Sequence, residues 1–189
     1  MDNKKNIMNI ALKSFSLKGF DAVGVQEIVE KSGVTKPTLY HYFGSKTGLL
    51  EAIFDYYYGM FYENLILASE YKGDITLTLQ KLILCYFNFA KQNNDFYRMQ
   101  LSMYFVPEEN EVSKLLKPYN EKNYKLIEEV FIKAAFDHGN MKGRHTLYSV
   151  TFIGMINTYI GLFLNGYIND LDDNLMYQTV HQFMHGIFS

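Results

Sequence analysis

The chain of 189 residues and 22.1 kDa is 48% hydrophobic, enough to bury the core of one or two compact domains. Its 18 basic residues stand against 20 acidic ones, and the resulting formal charge of −2, taken over the whole chain, argues against a polyanionic partner. Cys85 is the single cysteine, which excludes an internal disulfide, a cysteine-rich zinc site and an iron–sulfur cluster, and it fits a reducing cytoplasm. The N-terminal residues carry charges and no apolar run of signal-peptide length, so no targeting segment is expected there.

Apolar residues recur at helical spacing nearly throughout, β-branched alternation is almost absent, and prolines occur only at 37, 107 and 118. The pattern predicts an all-α chain of about nine helices. The first, over 3–18, carries Ile7, Ile10, Ala11, Ser14 and Phe15 on one face and stops at Gly19. A short helix over 25–32 ends at Gly33, and another over 36–42 follows Thr35, whose hydroxyl can cap it; Pro37 lies in the first turn, where no backbone N–H is missed. Ser45 can cap a long fourth helix from Lys46 to about residue 71, and Gly73 and Asp74 punctuate before a helix over 75–93. Further helices are predicted over 95–105 and 109–138, the latter broken or kinked at Pro118, with His138-Gly139 as its end. The last two are placed at 144–168 and 172–188. There is no internal repeat or flexible linker.

Between Arg144 and Asp170 there is no charged residue, a stretch long enough to raise a membrane span. It nevertheless contains Asn157, Thr158 and Asn165, whose polar groups lack water at the middle of a bilayer, so a helix buried in protein is the expected reading and no membrane partner is assigned. Gly154 and Gly161, seven apart, fall on nearly one face with Thr158 between them, which suits a close helix–helix contact.

Residues 4–50 carry the most information. Gly19-Phe20 after the first helix, Ile28 and Val34 flanking the turn Ser32-Gly33-Val34-Thr35, then Leu39-Tyr40, Tyr42-Phe43 and Ser45-Lys46 closely resemble the DNA-binding domain of the tetracycline-repressor (TetR) family of bacterial transcription regulators. In a helix-turn-helix the second helix enters the major groove. That helix here carries Lys36, Thr38, Tyr40 and His41, while Leu39 and Phe43 face a small core with Ile28 and Val34. The resemblance implies DNA contacts by Thr35, Lys36, Tyr40, His41, Tyr42 and Lys46, with Pro37 and Thr38 lining the interface. The lesser reading of Tyr40 and Tyr42 is as core aromatics, and a phenol can bury its ring and still hydrogen-bond a phosphate. Lys46 opposes the helix dipole at the start of the fourth helix unless a phosphate lies nearby.

Three departures from the family pattern stand out. Gly24 replaces the hydroxyl residue that usually caps the second helix, Val29 and Ser32 replace small alanines, and Thr47-Gly48 replaces acidic residues, which predicts a looser start to the fourth helix.

Charge divides at residue 50. Residues 1–50 hold seven lysines against four carboxylates, a net +3, and the remainder holds 11 basic and 16 acidic residues, a net −5. A basic head on an acidic body suits a protein that reads DNA with one end. The domains implied are 1–46 for DNA and 47–189 for effector binding and dimerisation.

Of 31 aromatic residues, 26 lie beyond residue 50. They first of all fill a helical core. The resemblance adds a small-molecule pocket in this part, for which Tyr58, Phe61, Tyr62, Tyr86, Phe89, Met99, Met103, Tyr104, Tyr124, Phe152, Asn157 and Tyr159 are candidates, suited to a flat or lipophilic effector. Asn157 is assigned either to that ligand or to a dimer contact. The last two helices form the expected homodimer interface, with Gly154, Thr158, Gly161, His181 and His185 in it. His181 and His185 have the spacing of a two-histidine zinc site, but the intervening QFM lacks the glutamate of such a motif and no third ligand is evident, so no metal and no cofactor are expected.

The sequence is thus read as a cytoplasmic, ligand-responsive homodimeric repressor of palindromic double-stranded DNA, with no catalytic constellation. A ligand-independent DNA-binding protein of the same fold acting through a protein partner, and an enzyme or carrier with a vestigial DNA-binding domain, are the rival readings.

Overall fold

The computed structural model describes residues 2–186. Among them run nine α-helices and no strand: α1 Asn3–Lys18, α2 Val25–Ser32, α3 Lys36–Phe43, α4 Lys46–Ala68, α5 Ile75–Gln92, α6 Asn94–Ser102, α7 Glu111–Asp137, α8 His145–Leu164 and α9 Asp173–His185. A 3₁₀ turn at Gly139–Met141 joins α7 to α8. The all-α expectation holds, with α4, α6 and α8 each three or four residues shorter at the C-terminal end than their apolar pattern suggested. Residues 187–188, the end of the predicted last helix, lie outside the described residues. Pro118 does not break α7, which is continuous across it. The missing amide of Pro118 does leave the Lys114 carbonyl without its helical donor.

The helices group into two compact units. One comprises residues up to Met60 together with Asn93–Lys117, and the other Phe61–Gln92 together with residues from Pro118 onward. The chain therefore passes between the units three times, within α4 beside Gly59, between α5 and α6, and within α7 at Pro118, and both Gly59 and Pro118 have weak helical preference.

In the first unit, α1 packs on α2, α3 and α6. Ile7, Ala11 and Phe15 supply its wholly buried stripe, and Phe20 closes over Phe15 with ring centroids 5.1 Å apart. Asp2 caps α1 by accepting from the Lys4 N–H at 3.0 Å, and Ser16 donates to Asp95 of α6 at 3.0 Å. In the second unit, α5 packs on α8 and α9. Leu82, Ile83 and Phe87 of α5 and Phe152, Ile156 and Ile160 of α8 are buried there, and Lys91 holds the α8–α9 connection through Asp170 at 3.1 Å and the Leu171 carbonyl at 3.3 Å.

α8 is long and apolar enough to cross a membrane by length and composition, and only 28% of its most apolar window is buried. Thr158 donates to the Gly154 carbonyl at 2.9 Å, and Asn165 at the helix end donates to that of Gly161 at 3.0 Å. What remains is an exposed uncharged face.

Candidate functional site

The turn between α2 and α3 is built from Gly33, which takes the left-handed conformation (φ 67°, ψ 28°) that ends α2, and Thr35, which caps α3. The Thr35 hydroxyl accepts from the Thr38 N–H at 3.4 Å and lies 2.9 Å from the Thr38 hydroxyl. Asn6 of α1 donates to the Ser32 carbonyl at 2.9 Å, and the Ser32 hydroxyl donates to the Ile28 carbonyl at 2.7 Å. The serine that replaces a small alanine is thus bonded within the crossing. α2 begins on Gly24 with no side-chain cap, as its lack of a hydroxyl implied.

α3 then divides cleanly. Leu39 and Phe43 are buried, with Ile28 buried and Val34 half-buried beside the turn. Lys36, Pro37, Tyr40, His41 and Tyr42 are exposed, and Thr38 is half-exposed. Tyr40 is 45% exposed and Tyr42 39%, so both phenols face outward rather than fill the core. Tyr42 sits 5.6 Å from His41 and 6.0 Å from Phe43 between ring centroids. Among the described residues Lys36 makes no ion pair, whereas Lys18 and Lys31 both reach Glu27 at 2.7 Å and hold its carboxyl below the usual range.

Lys46 has a structural role that the sequence did not reveal. Its ammonium donates to the carbonyls of Phe20 at 2.9 Å and Val23 at 3.1 Å and lies 4.1 Å from the centre of the Phe20 ring. These bonds fasten the start of α4 to the α1–α2 turn. One ammonium hydrogen remains for an outside acceptor. The expected loose start to α4 is corrected here: Ser45 caps the helix through the Gly48 N–H at 2.9 Å, and a Cβ on Gly48 would stand 2.1 Å from the Phe43 carbonyl oxygen. Glycine at 48 permits a close backbone approach and so tightens the junction.

The aromatic and methionine candidates divide between the two units. Tyr58, Met99 and Met103 are buried and Tyr104 half-buried in the first unit. In the second, Phe61 packs on Tyr86 and Phe89 with centroids 4.9 and 4.8 Å apart, and the Tyr86 hydroxyl donates to Asn123 at 2.7 Å. Lys122 caps the face of Tyr62 at 3.8 Å, Phe152 is fully buried, and Tyr124, Asn157 and Tyr159 are half-buried. Phe61 and Phe89 border an open groove between α4 and α5 that also includes Cys85. Cys85 is half-buried, and burial pushes the thiol up to about 11.

None of these candidates lines the recess of about 430 Å³ formed in the second unit by the α4–α5 turn, the ends of α7 and α9, and the start of α8. Asp74, Phe131, His138, Tyr148 and Phe183 are in its wall. In the sequence these positions read only as punctuation, Asp74 before a helix start and His138 at a helix end. At the proposed interface between copies, Gly154, Thr158, His181 and His185 are exposed and Gly161 is half-exposed. The His181 and His185 rings lie 4.7 Å apart. Among the described residues no three histidine, cysteine or acidic side chains gather as a metal site would need.

Residues 7–53 match the family model described as bacterial regulatory proteins, tetR family. The chain is 35% identical over 118 residues to YuxN of Bacillus subtilis, described as an uncharacterized HTH-type transcriptional regulator, covering 61% of this chain and 40% of that protein. It is 25% identical over 175 residues to YerO of the same organism, described in the same words, covering 89% of this chain and 58% of that protein. The chain thus spans about half the length of these curated relatives. Among solved structures, the fatty acid degradation regulator FadR from Bacillus halodurans superposes with a TM-score of 0.82 at 16% identity over 100% of this chain and 97% of that one. FadR from Bacillus subtilis, solved in complex with stearoyl-CoA, superposes with a TM-score of 0.80 at 19% identity over 97% and 98%. The helix-turn-helix segment, residues 7–53, is thus a TetR-family DNA-binding segment by sequence, and the whole chain shares its all-helical fold with these regulators.

Proposed function

We propose that the protein is a cytoplasmic repressor that binds a palindromic operator as a homodimer and is released by a small lipophilic or aromatic effector. The observation that carries this reading is the split of α3 into a buried face of Leu39 and Phe43 and an exposed face of Lys36, Pro37, Thr38, Tyr40 and His41. Lys36 and Thr38 sit at the N-terminal end of the recognition helix, where side chains meet base edges. Thr35, Tyr40, His41 and Tyr42 hold phosphates, and Lys46 adds its remaining hydrogen and its charge. The functional division falls at 1–46 and 47–189.

Dimerisation is supported by the uncharged, exposed face of α8, where Leu147 is 70% and Val150 52% exposed, flanked by Gly154 and Thr158. Two copies would set their reading heads about 34–36 Å apart or a multiple of that spacing. An effector held among the aromatic helices would act along α4, whose first part through Met60 belongs to the DNA-reading unit and whose remainder belongs to the other. A coupling of about 1–3 kcal/mol suffices to release DNA. The stearoyl-CoA in the B. subtilis FadR structure favours a lipophilic effector in this fold. No catalytic step is assigned.

The test is a footprint of the purified protein on the DNA flanking its own gene, with and without lipophilic compounds, long-chain acyl-CoA among them. Protection of a two-fold symmetric site that one of these compounds abolishes is the expected result. Failure to bind any DNA at low salt overturns the reading.

A further inference from the structure

We propose that the recess at the end of the second unit is a binding site for a protonated organic amine carrying a compact apolar body. The site is a different one from the aromatic cluster around Phe61 and Tyr86, and nothing in the DNA-binding reading requires it.

Three aromatic rings meet in its wall. Phe131 lies 5.6 Å from Tyr148 and 5.9 Å from Phe183 between centroids, and Tyr148 lies 6.4 Å from Phe183. Rings that border one cavity offer π-faces and apolar surface together, the arrangement by which proteins hold organic cations. The recess, at about 430 Å³, is in the size range of small-molecule sites.

The charged lining residue is acidic. Asp74 is exposed at the rim and caps α5 through one carboxylate oxygen, which accepts from the Leu77 N–H at 2.9 Å. Among the described residues it pairs with no cation, and neither lysine nor arginine lines the recess. An anionic ligand would therefore meet a carboxylate with no compensating charge, while a cation meets a partner.

His138 supplies the third feature. It lines the recess, and its Nε2 is buried with no hydrogen-bond partner among the described residues. Such a nitrogen costs free energy until it is paired. In the tautomer protonated at Nδ1 it is an acceptor without a donor, and an ammonium N–H bound beside the residue is a donor of the kind it lacks. A neutral apolar ligand would leave it unpaired.

The walls are held apart by bonds outside the cavity. The Tyr71 hydroxyl donates to Asp137 at 2.7 Å, tying the α4–α5 turn to the end of α7, and burial together with that carboxylate pushes the phenol up to about 12. Glu128 of α7 accepts from Thr146 at 2.5 Å and pairs with His145 at 2.9 Å at the start of α8. A recess fixed on two sides is preformed, so a ligand need not order it.

The experiment is calorimetric titration of the full chain, free of DNA, with three probes of one skeleton: phenethylamine, 2-phenylethanol and phenylacetate at neutral pH. Phenethylamine is expected to bind one per chain, about tenfold or more tighter than the alcohol, with no measurable heat from phenylacetate. Asp74→Asn keeps a residue able to cap α5 and removes the charge, and it should weaken the amine about tenfold while leaving the melting temperature in place. Tyr148→Ala and His138→Leu should weaken it as well, with circular dichroism confirming that each is folded. Equal affinity for the three probes, no binding of the amine, or an Asp74→Asn protein that binds it as well as the parent overturns the proposal. DNA is absent from every arm, so these outcomes are independent of the operator footprint.

Discussion

Lys36 and Lys46 look alike in the sequence, as two lysines at the N-termini of successive helices, and the structure separates them. Lys36 is exposed and makes no ion pair among the described residues, whereas Lys46 is half-buried and bonded to two carbonyls of the α1–α2 turn. Lys36→Ala should therefore relax preference at particular base pairs with melting unchanged, as read from a binding series on operator variants. Lys46→Ala should weaken binding to all sequences alike, reduce the salt slope by about one and lower the melting temperature, because it also unties α4. A salt slope left at the parent value would remove Lys46 from the phosphate set and leave it as a tie alone. Glu128 offers a titration at the same scale. Its hydrogen bonds from Thr146 and His145 hold the carboxyl below its ordinary value, so the stability it contributes is complete above the unfolded carboxylate range and is lost as pH falls through the lower folded value. Glu128→Gln should flatten the acid limb of a melting-temperature profile, with little change near neutrality.

At the scale of the element, the two glycines of α4 have opposite meanings. A side chain on Gly48 would collide with the Phe43 carbonyl, which is backbone and cannot rotate away, so Gly48→Ala should cost about 1–3 kcal/mol in urea denaturation. A Cβ on Gly59 meets nothing within 4 Å and the residue is mid-helix, so Gly59→Ala should stabilise by about 0.5–1 kcal/mol. Helix existence was legible in the sequence because the signals are local: Thr35 and Ser45 as caps, Gly19 and Gly33 as stops, apolar residues three and four apart. The recognition surface was legible for the same reason, since α3 is eight residues whose two faces follow from their spacing. The tight α3–α4 junction was not, because the partner of Gly48 is a carbonyl, and a backbone atom leaves no mark on residue type. The second recess was illegible for a different reason. Asp74, His138, Tyr148 and Phe183 come from four separated segments, and only the packing of α5 with α8 and α9 assembles them.

For the whole molecule, the governing feature is the charge-free face of α8. In the proposed dimer that face is covered, and folding and association become linked, so the melting temperature should rise with protein concentration. Leu147→Glu places a carboxylate in the contact and should give a monomer by sedimentation, with the same helix content and with weaker, non-cooperative binding to a symmetric operator. A dimer that survives this change and a matching Val150→Glu would move the interface off α8. The division of charge, a basic first 50 residues and an acidic remainder, then orients each copy at a distance, before any base is touched.

Cys85 gives the protein a clock. It is the one thiol in the chain, half-buried on α5, and its pKa of about 11 keeps the reactive thiolate scarce at neutral pH. Alkylation there is slowed both by that scarcity and by the groove walls that half cover the sulfur. The rate of modification by iodoacetamide, followed by mass, therefore reads the occupancy of the groove with no probe introduced, and a ligand seated between Phe61 and Phe89 should slow it.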